Sequence, residues 1–260
     1  MSTVLIDYPA LYVARIRINR PEKRNALDHA TRQLLIDGLQ AIFSDKSIRA
    51  LVFGGVDGIL SAGGDIGSMV DLSAEQARAR MLHGRLLSLT FAEAPIPVVT
   101  AIEGMGVGNS VGLAMLGDYI VMGESAFVLF PFLKIGLVPD WAILRSLPRR
   151  VGFAFAKRVL MSCEKIPSAT ALSRGLVDEV VANDLVMSSA IEKASQFAEL
   201  PLAAFGRMKA RLNIITTTLD EELASDEDTQ SACLLHAEFA EGFSAFSEKR
   251  KSNFADLKDQ

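Results

Sequence analysis

Two short turns of small residues, Ser61-Ala62-Gly63-Gly64-Asp65-Ile66 and Gly106-Val107-Gly108-Asn109-Ser110-Val111-Gly112, are set between apolar segments. In such turns no bulky side chain blocks an approaching ligand, so backbone N–H groups can donate directly to it. The third segment, Ile135-Gly136-Leu137-Val138-Pro139-Asp140, ends in an acid. Phe130, Phe132, Leu137 and Trp141 flank Asp140 in sequence, and apolar surroundings raise a carboxylate's pKa towards values suited to proton transfer. The plainer reading of Asp140 is the N-cap of a helix that starts with Trp141-Ala142-Ile143.

The remaining polar residues carry weaker signals. Asp65 sits at the start of a predicted helix and reads as a structural cap, and Glu103 as a solvated loop acid. His29, His83 and His236 are scattered without metal-ligand spacing, so no metal is expected. Ser61 has no histidine near it in sequence, which gives a serine-hydrolase reading little support.

These residues must be held by a chain of 260 residues, long enough for one large domain or a core with an appendage. Hydrophobic residues make up 50% and charged residues 22%, which excludes a disordered or fibrous protein. The net charge of −4 and the lack of a long basic run argue against nucleic acid as a partner. Two distant cysteines, Cys163 and Cys233, fit a reducing compartment. With neither a signal-like N-terminus nor a run of about 18 apolar residues, a cytoplasmic location off the membrane is expected.

Strand and helix patterns alternate, which predicts an α/β fold with both sheet faces covered. Tyr12 to Asn19 alternates as a half-exposed strand, and Pro21 to Asp28 turns into a helix with Leu34, Leu35, Leu39, Ile42 and Phe43 on its apolar side. Ala50 to Gly55 and Pro97 to Ile102 read as buried strands, with further strands at Asp118 to Met122 and Ala126 to Phe130. Helical periodicity dominates from about Ala142. Beyond Leu200-Pro201 the composition shifts to charged helix formers, dividing the chain into a core over 1–200 and a helical region over 201–260.

The ordered set of motifs resembles the crotonase (enoyl-CoA hydratase/isomerase) superfamily across almost the whole chain. Besides the two glycine turns, it rests on Asn19-Arg20-Pro21-Glu22-Lys23-Arg24-Asn25-Ala26-Leu27, Ile166-Pro167-Ser168-Ala169 with Gly175-Leu176-Val177-Asp178, and Ala240 to Arg250. The resemblance implies a spiral of repeated ββα units with a C-terminal helical trimerisation region, working as a trimer or a dimer of trimers. It also implies an acyl-CoA substrate, with coenzyme A part of the substrate and no separate cofactor. The N–H groups of Gly64 and Asn109 would hold the thioester oxygen. Ala62, Gly63, Asp65 and Ile66 would lie along the ligand, Arg24 near its pyrophosphate and Lys249 near its ribose phosphate, whether from this subunit or a neighbour. For Arg24 and Lys249 plain surface charge is the competing reading. Ala26, Gly108, Phe132 and Pro139 complete the binding set.

Departures from the family pattern point to the reaction type. The two glutamates that serve its hydratases fall on Gly112 and Phe132, so both carboxylates are missing. Asp140, after Pro139, falls where the isomerase branches carry a single Glu or Asp, including the Δ3,Δ2-enoyl-CoA and phenylacetate-pathway isomerases. An isomerase that shifts a double bond through a thioester enolate is therefore expected. The alternatives are a hydratase with Glu103, Glu124 or Asp65 opposite Asp140, and an inactive acyl-CoA-binding protein of the same fold. Met69, Met81, Leu82, Phe91 and Trp141 would shape the acyl pocket or simply pack the core.

Overall fold

The computed structural model describes residues 2–214 and 218–257. The chain opens with an antiparallel pair, β1 (Val4–Ala10) and β2 (Val13–Ile18), and continues through α1 (His29–Ser44), β3 (Ala50–Gly55), α2 (Ala74–Ala92) and β4 (Val98–Ile102). Next come β5 (Met105–Val107), α3 (Asn109–Leu116), β6 (Tyr119–Gly123), β7 (Phe127–Leu129), α4 (Ile143–Val151) and α5 (Phe153–Ser162). After β8 (Ile166–Pro167), α6 (Ser168–Ser173) and β9 (Glu179–Val181), four helices follow: α7 (Val186–Phe197), α8 (Leu202–Asn213), α9 (Leu219–Leu234) and α10 (Ala237–Glu248).

The main sheet runs β1-β2-β3-β4-β6-β9, parallel from β2 onward, and a smaller sheet runs β5-β7-β8. Burial follows the two-residue strand period. In β3, Leu51 and Phe53 face the larger core with Leu35, Leu39 and Phe91, whereas Ala50 and Val52 face α7 through Val186, Ala190 and Ala194. With both faces covered, the carboxyl ends of β3 and β4 are the openings where the chain must turn, and the two glycine turns follow there. The α/β prediction holds, with β1 as an additional edge strand that the sequence reading left unassigned.

One helix face departs from expectation. In α1 the buried side chains are Thr31, Arg32, Leu35, Ile36, Leu39 and Ile42, while Leu34 is exposed. The face is shifted by part of a turn, which brings an arginine inside. Downstream, α8 docks on the core through Lys209, whose Nζ donates to Asp118 Oδ2 at 2.8 Å, and that same oxygen accepts the Val98 N–H at 2.8 Å. Leu235, Phe239, Phe243 and Phe246 around α10 stay exposed. No helix among the described residues is long and apolar enough to cross a membrane.

Candidate active site

The first turn is fixed by the side chains of Ser61 and Asn25, which serve a structural purpose. Ser61 Oγ donates to the Asn25 carbonyl at 2.7 Å and accepts the Gly63 N–H at 3.0 Å. Asn25, fully buried, donates to the Val56 and Ile59 carbonyls. The Leu27 N–H then donates to the Gly63 carbonyl, and the Asp65 N–H donates to the Leu27 carbonyl. Because neighbouring peptide groups in an extended segment point to opposite sides, this pairing turns the Gly64 N–H away from Leu27.

The second turn is pressed against the first. The Val107 N–H donates to the Ser61 carbonyl at 3.0 Å, and a Cβ on Gly63 would lie 2.7 Å from the Val107 carbonyl oxygen. Gly108 adopts φ +59° and ψ −127°, a backbone shape only glycine holds without strain. It sets Asn109 as the first residue of α3, so the Asn109 N–H belongs to the helix end that has no internal acceptor. Among the described residues, neither the Gly64 nor the Asn109 N–H donates a hydrogen bond. A Cβ on Gly64 would lie 3.2 Å from Asn109 Nδ2. Both residues line one cavity of about 550 Å³.

Asp140 stands on another wall of that cavity. The N-cap of α4 is Ala142, not Asp140, and no side chain caps that helix. Trp141 and Ala142 both take left-handed conformations, φ 50° and 60°. This pair of turns separates Asp140 from the helix, and its buried Oδ1 has no hydrogen-bond partner. The capping alternative is thereby excluded. Burial pushes the Asp140 carboxyl up to about 6, against the pull of its own backbone N–H and of Arg80 and Arg32. The Trp141 backbone also fills the space beside Gly112, where an added Cβ would sit 2.9 Å from its carbonyl oxygen. With Phe132 on the cavity wall, neither hydratase glutamate position offers an acid. The other acid of the lining is Asp71, which is exposed.

The structure thus brings together Ala62, Gly63, Gly64, Ile66, Gly108, Asn109, Phe132 and Asp140, with Met69, Met81 and Trp141. Other expected binding residues lie off this lining. Asp65 does not cap the turn at Ile66–Met69 through its side chain, which instead binds Arg20 at 3.3 Å. Ala26 is buried and offers its carbonyl to Arg20. Arg24 is exposed, joined to the first turn by its carbonyl, which accepts the Ala62 N–H. Pro139 is half-buried before Asp140, and Lys249 is exposed at the end of α10. Leu82 is exposed and Phe91 packs on Phe53 in the core. Glu103 is not a solvated loop acid: it is half-buried, and its pKa is raised by that burial against the pull of Arg17 and Arg15. Sequence reasoning missed Arg32 and Arg80, both of which line the cavity. The apolar residues that follow Arg32 at helical spacing, Leu35, Ile36 and Leu39, were the available signal.

An α/β spiral in which two free backbone donors and one buried titratable carboxyl line the same cavity fits an enzyme class built around a polarised carbonyl. Comparison with known proteins makes the class specific. The family model described as "Enoyl-CoA hydratase/isomerase" matches residues 11–258, and the chain belongs to that family. It is 31% identical over 246 residues to a 2,3-dehydroadipyl-CoA hydratase of Escherichia coli, covering 93% of this chain and 94% of that one. It is 30% identical over 259 residues to a 1,2-epoxyphenylacetyl-CoA isomerase of the same organism, covering 98% and 99%. A crystal structure of an enoyl-CoA hydratase from Bacillus anthracis superposes with a TM-score of 0.91 at 26% identity, covering 98% of this chain and all of that one.

Proposed function

We propose that this member of the family is an acyl-CoA isomerase that moves a double bond with one carboxylate base. The observation that carries the reading is Asp140, the acid on the cavity lining whose buried oxygen lacks any partner. Ionised Asp140 takes a proton from C2 of a 3-enoyl thioester. The electron pair moves onto the thioester oxygen, where the Gly64 and Asn109 N–H groups receive the charge; such donors are worth about 3–4 kcal/mol each. The protonated acid then returns the proton at C4, and the double bond settles between C2 and C3. One carboxyl serves both transfers, so no second acid is required.

Hydration would require an acid opposite Asp140, and the candidates are engaged elsewhere. Glu103 and Glu124 do not line the cavity, and Asp65 is bound to Arg20. A purely binding role leaves the two free donors and the perturbed carboxyl without purpose. In this reading Arg24 and Lys249 meet the phosphates of coenzyme A. Residues 201–260, with Phe239, Phe243 and Phe246 uncovered, build a trimer or a dimer of trimers. The enzyme works in the cytoplasm, where Cys163 and Cys233, both unpaired here, stay reduced.

Ultraviolet absorbance separates the reactions. Conversion of a 3-enoyl-CoA to its conjugated isomer raises absorbance, whereas hydration of a 2-enoyl-CoA lowers it. The expected result is a rise with the first substrate and little change with the second; the reverse would transfer the assignment to hydration.

A further inference from the structure

The isomerisation above uses Asp140 and two backbone donors, and leaves two arginines of the same cavity without a role. Arg32, in the first turn of α1, is 1% exposed. Its Nε is sealed without a partner, and its guanidinium makes no hydrogen bond or ion pair with any described residue. Arg80, on α2, donates from Nη1 to Ser68 Oγ at 3.0 Å, while its Nη2 is buried and unpartnered. That Nη2 lies 3.6 Å from where a Cβ on Gly64 would stand, beside the proposed thioester site.

The nearby carboxylates offset this only in part: burial still lowers the pKa of both arginines despite the pull of Asp28 and Asp140. Asp28 and Asp65 are both taken by Arg20, at 3.1 and 3.3 Å. Asp140 attracts both arginines through its charge but forms no ion pair or hydrogen bond with either, and Asp71 is exposed. Buried guanidinium nitrogens without acceptors are costly, and the two guanidinium groups repel each other. An acyl chain ending in a methyl group would displace water from them and supply nothing in exchange. A carboxylate would accept from both planar forks at once.

We propose that Arg32 and Arg80 form an anion subsite in the acyl pocket, and that the substrate is a short acyl-CoA whose chain bears a second carboxylate. The inference rests on the acyl-thioester reading of this cavity, but not on the isomerase chemistry.

Calorimetric binding of two saturated six-carbon thioesters tests it, adipoyl-CoA with a terminal carboxylate and hexanoyl-CoA with a terminal methyl. Neither can undergo a double-bond shift, so the result is independent of whether the enzyme isomerises. The wild type is expected to bind adipoyl-CoA about 10- to 100-fold tighter, as charged hydrogen bonds lead one to expect. In Arg80→Met and Arg32→Met that ratio is expected to fall towards one. Equal affinities in the wild type would overturn the proposal whether or not the variants fold. A ratio that survives in Arg80→Met would overturn it too. If the variants weaken free coenzyme A by the same factor as adipoyl-CoA, the arginines hold a phosphate of the cofactor moiety and the subsite is wrong. If they shift only the pH at which activity appears, with the ratio intact, the arginines serve Asp140 and the proposal again fails.

Discussion

The two walls of the cavity are made in different ways. The wall carrying Gly64 and Asn109 is backbone, pinned by Ser61, Asn25 and the Leu27 bridge. It presents two N–H groups whose chemistry does not depend on pH. The wall carrying Asp140, Arg32 and Arg80 is built from ionisable side chains, each with a buried polar atom left unpartnered. The first wall suits any reaction through a thioester enolate. In the reading proposed above, the second decides which proton moves and which acyl chain is welcome. The relatives of this chain include both a hydratase and an isomerase.

Breaking the backbone wall is expected to have the largest effect. In Gly64→Val the new Cβ would meet Met69 Cε at 2.6 Å and Asn109 Nδ2 at 3.2 Å, obstructing the space over the donor pair. Steady-state turnover of a 3-enoyl-CoA should fall at least about 10³-fold, with little change in the thermal transition because Met69 is a flexible neighbour. Normal turnover would remove Gly64 from the reacting carbonyl.

The side-chain wall should answer to pH where the backbone wall does not. Asp140 works as a base only when ionised, and burial sets its pKa at about 6. The kcat/KM for isomerisation should therefore be level above that pH and drop about tenfold per pH unit below it. A profile that rises on acidification would mean that the protonated form is the active one.

The walls also differ in how far they can be read from sequence. Ser61 to Ile66 was legible as a turn because small residues after a buried apolar strand leave few structural options, whereas of Gly106 to Gly112 only Gly108 turns, between the end of β5 and the start of α3. The strands Ala50 to Gly55 and Pro97 to Ile102 were legible for the same reason, as short apolar runs ending at turns. Arg32 was not, because an arginine on an amphipathic helix is ordinarily solvated, and only packing against α2 shows which face turns inward. Asp140 was ambiguous between cap and base until two consecutive left-handed residues, Trp141 and Ala142, separated it from α4. Neither is glycine, so composition gave no warning of that backbone. Strands such as β8, two residues long, exist only through their partner β7 and have no local signature.

Asp140→Asn measures the central claim, that a single carboxyl carries out both proton transfers. Its stability sets the control. A carboxyl whose folded pKa is raised from 3.8 to about 6 contributes stability present below pH 3.8 and lost as pH rises through 6. Asparagine suffers no such loss, so at pH 8 the variant should melt no lower than the wild type, and its advantage should shrink towards pH 4. Against that intact fold, isomerisation of a 3-enoyl-CoA should fall by about 10²–10⁴-fold. In heavy water, the wild type should deliver part of the substrate's own C2 proton to C4. An Asp140→Asn enzyme with full activity, or one that loses activity only because it unfolds, would contradict the account.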